Sequence, residues 1–139
     1  MIFVDTWAWV ALALKRDQHH RRVKGQHKVF QRARRLYVTT DFVLSELIAH
    51  LYTTLTADQA RAFINNLLAS ADRGTYRLIH VSPQQFRRAW QLRQQYHDKP
   101  DISFVDFTSI VVMQDLGLTD IFTGDAHFQQ VNLGFRLVP

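Results

Sequence analysis

The sequence predicts an α/β domain in which a parallel sheet carries helices on both faces. Short apolar segments rich in β-branched residues recur along the chain, and helical segments separate them. Parallel strands need crossover connections, which are right-handed in nearly all proteins and place helices against the sheet. The length of 139 residues suits one ordinary domain. We therefore expect residues 1–139 to form a single α/β domain.

Five segments are typical of strands in such a sheet. The first, Ile2-Phe3-Val4, is fully apolar and ends at Asp5. The second is rich in aromatic and β-branched side chains, which favour strands. In chain order, the predicted strands span residues 2–4, 36–40, 77–81, 121–123 and 135–138.

Two helical patterns follow the first strand. Residues 7–14 are too apolar for a surface segment and predict a buried helix. Residues 18–35 are amphipathic, although Gly25 weakens a helix there by up to ~1 kcal/mol relative to alanine. The residues predicted on its buried face are Val23, His27, Phe30 and Ala33.

The next two helices are unusually apolar. One begins at Asp41, and the other begins after a Thr56–Gln59 capping box and ends near Gly74. Their apolar stripes comprise Leu44, Leu47, Ile48 and Leu51, then Ala60, Phe63, Ile64, Leu67 and Leu68. Because this surface exceeds what one sheet face covers, we expect an exposed patch and a homodimer built on residues 41–71.

The last two predicted helices have clear start signals. Ser82-Pro83-Gln84-Gln85 combines an N-cap with proline at the first helical position, and the helix runs to about Tyr96. Ser103 and Asp106 cap a helix over 104–116, which Gly117 ends. The side chains expected in the core here are Phe86, Ala89 and Trp90, together with Trp7 and Trp9.

Composition excludes several classes of protein. The chain has no cysteine, so a disulfide scaffold, a thiolate zinc site and a cysteine nucleophile are all excluded. No apolar run is long enough to cross a bilayer, and Asp5 falls where a signal peptide would continue its apolar core, so we expect a cytoplasmic protein. The glycine-rich phosphate loops of dinucleotide-binding and P-loop proteins are absent.

Positive charge is concentrated in one part of the chain. The net charge is +5, and nine basic residues lie between Lys15 and Arg35 with a single acid, Asp17, among them. This is either a solvated helix face or a surface that binds nucleic-acid phosphates. Under the second interpretation the candidate RNA contacts are Arg21, Arg22 and Lys24.

Four acids fall near the carboxyl ends of the predicted strands, where α/β proteins bind ligands. Asp5 ends the first strand, Glu46 lies in the helix after the second, Asp106 begins the helix before the fourth, and Asp125 follows the fourth. Each has an ordinary alternative role, as a helix cap, a turn residue or a solvated acid.

Together the four acids would repel one another at one sheet edge unless a cation joined them. Without cysteine or a pair of histidines at ligand spacing, such a cluster suits Mg²⁺ or Mn²⁺. A metal site of this kind can activate water for phosphodiester hydrolysis.

Four segments resemble the signatures of PIN domains, and the likeness to VapC-type toxin ribonucleases of prokaryotic toxin–antitoxin pairs is greatest. The four segments match these signatures in order and spacing, over essentially the whole chain. These segments are Met1-Ile2-Phe3-Val4-Asp5-Thr6 with the apolar helix after it, Val43-Leu44-Ser45-Glu46-Leu47, Ser103-Phe104-Val105-Asp106 and Thr123-Gly124-Asp125-Ala126-His127-Phe128.

The resemblance implies a three-layer fold around a five-stranded parallel sheet of order 3-2-1-4-5, and a Mg²⁺- or Mn²⁺-dependent endoribonuclease. By matching position, the metal-holding and water-activating quartet is Asp5, Glu46, Asp106 and Asp125. Thr6 and Thr123 match polar positions that orient carboxylates or waters, His127 matches an RNA contact and Phe128 a packing residue. Asp41 and Asp101 match no core position and are interpreted as caps.

The resemblance also implies partners: an RNA substrate, a small antitoxin protein and a second copy of the chain. Two alternatives remain open from the sequence. One is a housekeeping RNA-processing nuclease, and the other is a non-catalytic RNA-binding or regulatory module on the same fold.

Overall fold

The computed structural model describes residues 1–138, which form five strands and seven helices. The strands are β1 (Ile2–Val4), β2 (Tyr37–Thr40), β3 (Tyr76–Ile79), β4 (Asp120–Phe122) and β5 (Arg136–Val138). The helices are α1 (Thr6–Ala13), α2 (His20–Arg32), α3 (Asp41–Thr54), α4 (Ala57–Asp72), α5 (Pro83–Gln95), α6 (Phe104–Leu116) and α7 (His127–Gln130).

The strands form one parallel sheet in the order β3-β2-β1-β4-β5. This confirms the predicted fold class and strand order. The central strand, β1, pairs on one side with β2 and on the other with β4. Its three side chains are all completely buried, and since successive side chains point to opposite faces, both faces of the sheet are covered.

Helix α6 lies deepest in the molecule, with every residue from 106 to 113 buried. Its bounds agree with the prediction. Ser103 and Asp106 form a reciprocal capping box at its start, and Gly117 ends it in the left-handed conformation, with φ 67°. The cap therefore fixes Asp106 at a buried helix start, facing the carboxyl edge of the sheet.

The start signals predicted for two other helices are also present. Thr56 and Gln59 exchange side-chain and backbone hydrogen bonds at the start of α4. Ser82 and Gln85 do the same at the start of α5, with Pro83 in the first turn.

Helix α2 is shorter than the predicted 18–35. Val23 and Phe30 are buried as expected, but Ala33 is exposed. The chain leaves the helix because Arg34 adopts a left-handed backbone conformation, with φ 54°. The short helix α7 was not predicted.

The prediction that Phe86 and Trp90 are core residues is wrong. Helix α5 buries Ala89 completely, while Phe86 is 46% exposed and Trp90 53% exposed. Phe86 packs at the side of the molecule against the rings of Phe42 and Phe104, at centroid distances of 6.1 Å and 5.0 Å. These contacts cover only part of its surface. Trp7, also predicted in the core, is only half-buried.

The expected surplus of apolar surface on α3 and α4 is largely absent. Leu47 and Leu51 are completely buried, and Ile64 and Leu67 are buried as well, because α3 packs against α1, α4 and α6. The members of the two stripes that stay exposed are Ile48 and Leu68.

Within the described part of the chain, no helix combines the length and the apolar character needed to cross a membrane.

Candidate functional site

The four predicted acids line one pocket of about 320 Å³ at the carboxyl edge of the sheet. Asp5 directly follows β1, Glu46 lies in the second turn of α3, Asp106 in the first turn of α6, and Asp125 in the turn after β4. They come together because parallel strands end at one edge, where the crossover helices begin.

Asp5 is the most buried acid of the pocket. The hydroxyl of Thr123 donates to its Oδ2 at 3.0 Å, but its buried Oδ1 has no hydrogen-bond partner among residues 1–138. Burial, and then the neighbouring charge of Asp106, raise the pKa of Asp5 from its ordinary 3.8 to about 8. A buried carboxylate oxygen without a partner is costly, and a bound cation would remove that cost.

Asp120 shows how this chain neutralises a buried carboxylate elsewhere. It begins β4 and receives two bonds from the guanidinium of Arg136, at 2.9 Å and 2.8 Å, and a third from Arg35 at 3.1 Å. Chiefly the Arg136 bonds lower the pKa of Asp120. No arginine or lysine supplies such a charge to Asp5 in the described part of the chain. The contrast favours an external cation at the pocket.

Asp106 takes part in both its helix cap and the pocket. Its Oδ2 accepts the backbone N–H of Ser103 at 3.1 Å and lies 3.3 Å from Nδ1 of His127. Burial raises its pKa, the Ser103 hydrogen bond opposes that rise, and the charge of Asp125 adds to it. The cap and metal-site interpretations of Asp106 are therefore compatible.

Thr123 connects two of the acids. Its hydroxyl donates to Asp5 and accepts the backbone N–H of Asp125 at 3.1 Å. This is the geometry expected of an orienting residue. Thr6, the other predicted orienting residue, lines the pocket, and its buried hydroxyl has no partner within residues 1–138.

His127 lies closer to the acids than the sequence suggested. Its Nδ1 is 3.0 Å from Oδ2 of Asp125, and Oδ1 of Asp125 accepts its backbone N–H at 3.0 Å. Ligand atoms of Asp106, Asp125 and His127 all lie within 4.8 Å of one another. The Asp-x-His spacing of Asp125 and His127 indicates this proximity in the sequence, but it is not the pair of histidines that was expected of a histidine metal site.

The wall of the pocket includes residues that sequence reasoning did not assign to it. His50 lies one helical turn after Glu46, and this i, i+4 spacing could have revealed it. Asp101 also lines the pocket and is not the cap of α6, because Ser103 fills that position. Asp41 is outside the pocket, where its Oδ1 accepts the backbone N–H of Val81 at 2.9 Å.

The three predicted RNA contacts are exposed on α2. Arg22 lies over the ring of Trp7, 5.9 Å from its centroid, and Trp7 lines the acidic pocket. Lys24 instead lines a second cavity of about 380 Å³, beside Trp9 and Tyr37. The part of α2 nearest the acids is therefore the part around Arg22.

The donor set suits Mg²⁺ or Mn²⁺. Carboxylate oxygens predominate, hydroxyls support them, and one imidazole is near. The orphaned Oδ1 of Asp5 and the raised pKa values of two acids are the features that a divalent cation would relieve.

Comparison with known proteins agrees with this geometry. Residues 2–133 match the family model of the PIN domain. The chain belongs to the PIN-domain family. It is 30% identical over 128 residues to the 23S rRNA-specific endonuclease VapC20 of Mycobacterium tuberculosis, and the alignment covers 92% of both chains.

Solved PIN-domain structures resemble this one along their whole length. The crystal structure of Mycobacterium tuberculosis VapC20, described as a toxin that cleaves the sarcin–ricin loop, has a TM-score of 0.77 and 29% identity, covering 98% of this chain and 97% of that one. DNA-bound VapBC from Salmonella typhimurium has a TM-score of 0.70 at 16% identity, covering 99% and 98%, and shares the fold. The VapC-type resemblance predicted from the sequence is thereby confirmed.

Proposed function

We propose that this PIN domain is a Mg²⁺- or Mn²⁺-dependent endoribonuclease. The single observation that carries the proposal is the buried, partnerless Oδ1 of Asp5 in a pocket lined by three further acids. The likeness to VapC20, an endonuclease by name, supports it.

Asp5, Glu46, Asp106 and Asp125 would hold the metal ion. A bound Mg²⁺ or Mn²⁺ supplies an activated water and offsets the charge that develops on the phosphate. Thr123 fixes the position of the Asp5 carboxylate relative to the Asp125 backbone through its two hydrogen bonds.

Two further groups orient the site and the substrate. Asp125 accepts the backbone N–H of His127, which fixes the turn after β4. Arg21, Arg22 and Lys24 offset the charge of RNA phosphates as the strand passes the acids, a role for which exposed cations on one helix are suited.

The substrate class we propose is RNA, and the first RNA to test is 23S rRNA, because VapC20 is named as specific for it. We also propose that the protein is the toxin of a toxin–antitoxin pair and is neutralised by a small antitoxin. The description of VapC20 as a toxin supports this. We propose that the protein acts in the cytoplasm, where its RNA substrate is found.

A homodimer belongs to the same proposal, although its surface differs from the one predicted. Four of the exposed apolar side chains lie on α3 (Ile48, Tyr52) and α5 (Phe86, Trp90). Rings of Phe42 and Phe86 join the two helices. An apolar surface of this kind on a small domain usually marks an interface.

The test is cleavage of two RNA hairpins, one carrying the sarcin–ricin loop sequence and one with that loop scrambled. We expect purified protein to cleave RNA with Mg²⁺ or Mn²⁺ and not with EDTA. Asp106→Asn should reduce the rate by about 100-fold or more, since it removes a metal-binding charge.

Asp58→Asn is the matched control, because Asp58 is exposed and pairs only with Arg61 on the surface of α4. Equal rates for Asp106→Asn and Asp58→Asn would contradict the proposal. RNA binding without metal-dependent cleavage would instead support the non-catalytic module.

A further inference from the structure

Trp7 and Gly124 are in unusually close contact at the edge of the acidic pocket. A Cβ built on Gly124 would lie 2.3 Å from Cζ2 of the Trp7 indole and 2.6 Å from both Cε2 and Cη2. Real Cβ atoms essentially never come within 3.0 Å of another heavy atom. Any side chain at position 124 therefore requires the indole or the turn to move.

This glycine differs from those that serve the backbone. Gly74 and Gly117 have positive φ angles of 75° and 67°, with nothing within 4 Å of an added Cβ. Gly124 has no positive φ, so an ordinary residue could adopt its backbone conformation. The space taken by Trp7, and not the backbone conformation, therefore accounts for glycine at position 124.

The indole of Trp7 also contacts two side chains at the start of α2. The imidazole of His19 lies 4.9 Å from it between centroids, and the guanidinium of Arg22 lies 5.9 Å from its centroid. Trp9, two residues later, is an ordinary core residue that donates its indole N–H to Thr39 at 3.3 Å. Trp7 instead lies between the start of α2 and the turn after β4.

That turn carries two of the contacts that define the acidic pocket. Thr123, before Gly124, donates to Asp5, and Asp125, after Gly124, accepts the backbone N–H of His127. A displacement of Gly124 therefore moves the Asp125 carboxylate relative to Asp5 and Asp106. Gly124 itself is exposed and has no side chain, so the Trp7 indole packs directly on its backbone.

We infer that Trp7 is a positioning residue of the metal site: its indole, packed on Gly124, fixes the Thr123–Asp125 turn and so the Asp125 carboxylate. The inference rests on the proposed function, since it concerns how the chain presents its acids to a cation. Trp7 and Gly124 thus form one complementary pair, in which a large ring packs against a residue without a side chain.

The test measures Mn²⁺ affinity of the full chain by isothermal titration calorimetry. Gly124→Ala should weaken Mn²⁺ binding about 10- to 100-fold, the range seen when supports of metal ligands are removed. Trp7→Leu should weaken it as well, because the turn loses its support. In the double variant Trp7→Leu/Gly124→Ala, the smaller side chain leaves room for the new methyl group, so the loss should be smaller than the product of the two single losses.

Gly25→Ala is the matched control. An added Cβ there meets nothing within 4 Å, so Mn²⁺ affinity should stay at the wild-type value. The variants should rank in the same order by cleavage rate as by Mn²⁺ affinity. Their kcat should fall while KM for the RNA hairpin stays nearly unchanged, whereas general loosening of the domain would change both constants. Circular dichroism verifies that each variant is folded.

Unchanged Mn²⁺ affinity in Gly124→Ala, or strictly multiplicative losses in the double variant, would overturn the inference and leave the proposed function intact. If Gly124→Ala fails to fold, Trp7→Leu decides, and wild-type affinity in that variant is the contradicting result. Wild-type protein that binds no Mn²⁺ and cleaves no RNA would overturn the proposed function itself, and this inference with it.

Discussion

Thr123 shows how one small side chain organises the candidate site. Its hydroxyl donates to Asp5 and accepts from the backbone of Asp125, so it uses both of its hydrogen-bonding capacities on the acidic cluster. The same arrangement leaves the other oxygen of Asp5 buried without a partner. In the metal-free protein the pKa of this carboxyl group is therefore raised.

The first prediction concerns Asp5 and pH in the presence of EDTA. Because burial raises the pKa of Asp5 to about 8 from its ordinary 3.8, the folded protein binds this proton more tightly than the unfolded chain does. The Asp5 contribution to stability is fully present below about pH 4 and is lost as the pH rises to about 8. Asp5→Asn removes this loss and should stabilise the metal-free protein by about 1–3 kcal/mol at pH 8.

Thermal denaturation of both proteins between pH 4 and pH 9 measures the difference. The melting temperature of Asp5→Asn relative to the wild type should increase with pH and then level off. A difference that does not change with pH would contradict the raised pKa of Asp5 in the folded state.

For single residues, the sequence was sufficient to predict that the four acids converge on one pocket, because strand ends in a parallel sheet meet at one edge. It was not sufficient for His127 or Asp101, whose side chains reach the pocket from the start of α7 and from the loop before α6. The pairing of Asp120 with Arg136 was also not predicted, since it depends on the register between β4 and β5.

Helix α2 is the element that would connect the acidic pocket to a polyanionic substrate. It carries exposed cations along its length, and Arg22 stands over Trp7 at the wall of the pocket. A cluster of acids repels RNA, so an adjacent basic helix is what such a site needs for binding.

The second prediction tests that role. Replacing Arg21, Arg22 and Lys24 with glutamine should weaken RNA binding and reduce the salt slope, the change in log K with log salt concentration. If each residue contacts a phosphate of single-stranded RNA, the slope falls by about 0.7 per contact, or about 2 in all. The rate at saturating RNA should change little.

The control replaces three exposed arginines on other elements, Arg73, Arg77 and Arg87, which gives the same change in net charge. Fluorescence anisotropy at several salt concentrations measures both slopes. If the two triple variants have the same slope, α2 does not bind the RNA and its cations serve another role, such as contact with an acidic antitoxin segment.

Elements with chemical start and stop signals could be predicted closely. The Ser103–Asp106 box and Gly117 gave the bounds of α6, because capping is local chemistry. Tertiary packing decided the rest: Phe86 and Trp90 fit a buried helical stripe in sequence, but α5 turns only Ala89 fully inward. The end of α2 depends on the backbone of Arg34, a residue type that gives no such signal.

Across the whole molecule, several apolar side chains remain exposed, and four of them lie on two helices. Ile48 is 39% exposed and Tyr52 is 51% exposed on α3, and Phe86 and Trp90 are exposed on α5. The two apolar stripes that first suggested a dimer are mostly internal, since Leu47 and Leu51 are completely buried.

The third prediction places the dimer interface on the exposed apolar side chains of α3 and α5. Wild-type protein at tens of micromolar should have the mass of a dimer in size-exclusion chromatography with light scattering. Ile48→Asp should shift the mass to that of a monomer while the protein stays folded, because charge at the centre of an apolar interface is costly. Val29→Asp, at an exposed apolar residue on α2, is the control and should remain dimeric. A wild-type monomer, or identical masses for both variants, would contradict the dimer on this surface.

The central claim is that the four acids form a metal site in the folded protein, and the most direct measurement is the melting temperature during a Mn²⁺ titration. If the folded state alone binds the ion, stability rises by about RT ln(1 + [Mn²⁺]/Kd), or roughly 2.7 kcal/mol at 100 times Kd. The wild type should therefore melt at progressively higher temperature, and Asp106→Asn should show no such rise while Asp58→Asn retains it. A wild-type melting temperature insensitive to millimolar Mn²⁺ and Mg²⁺ would contradict the account and leave the acids as caps and turn residues.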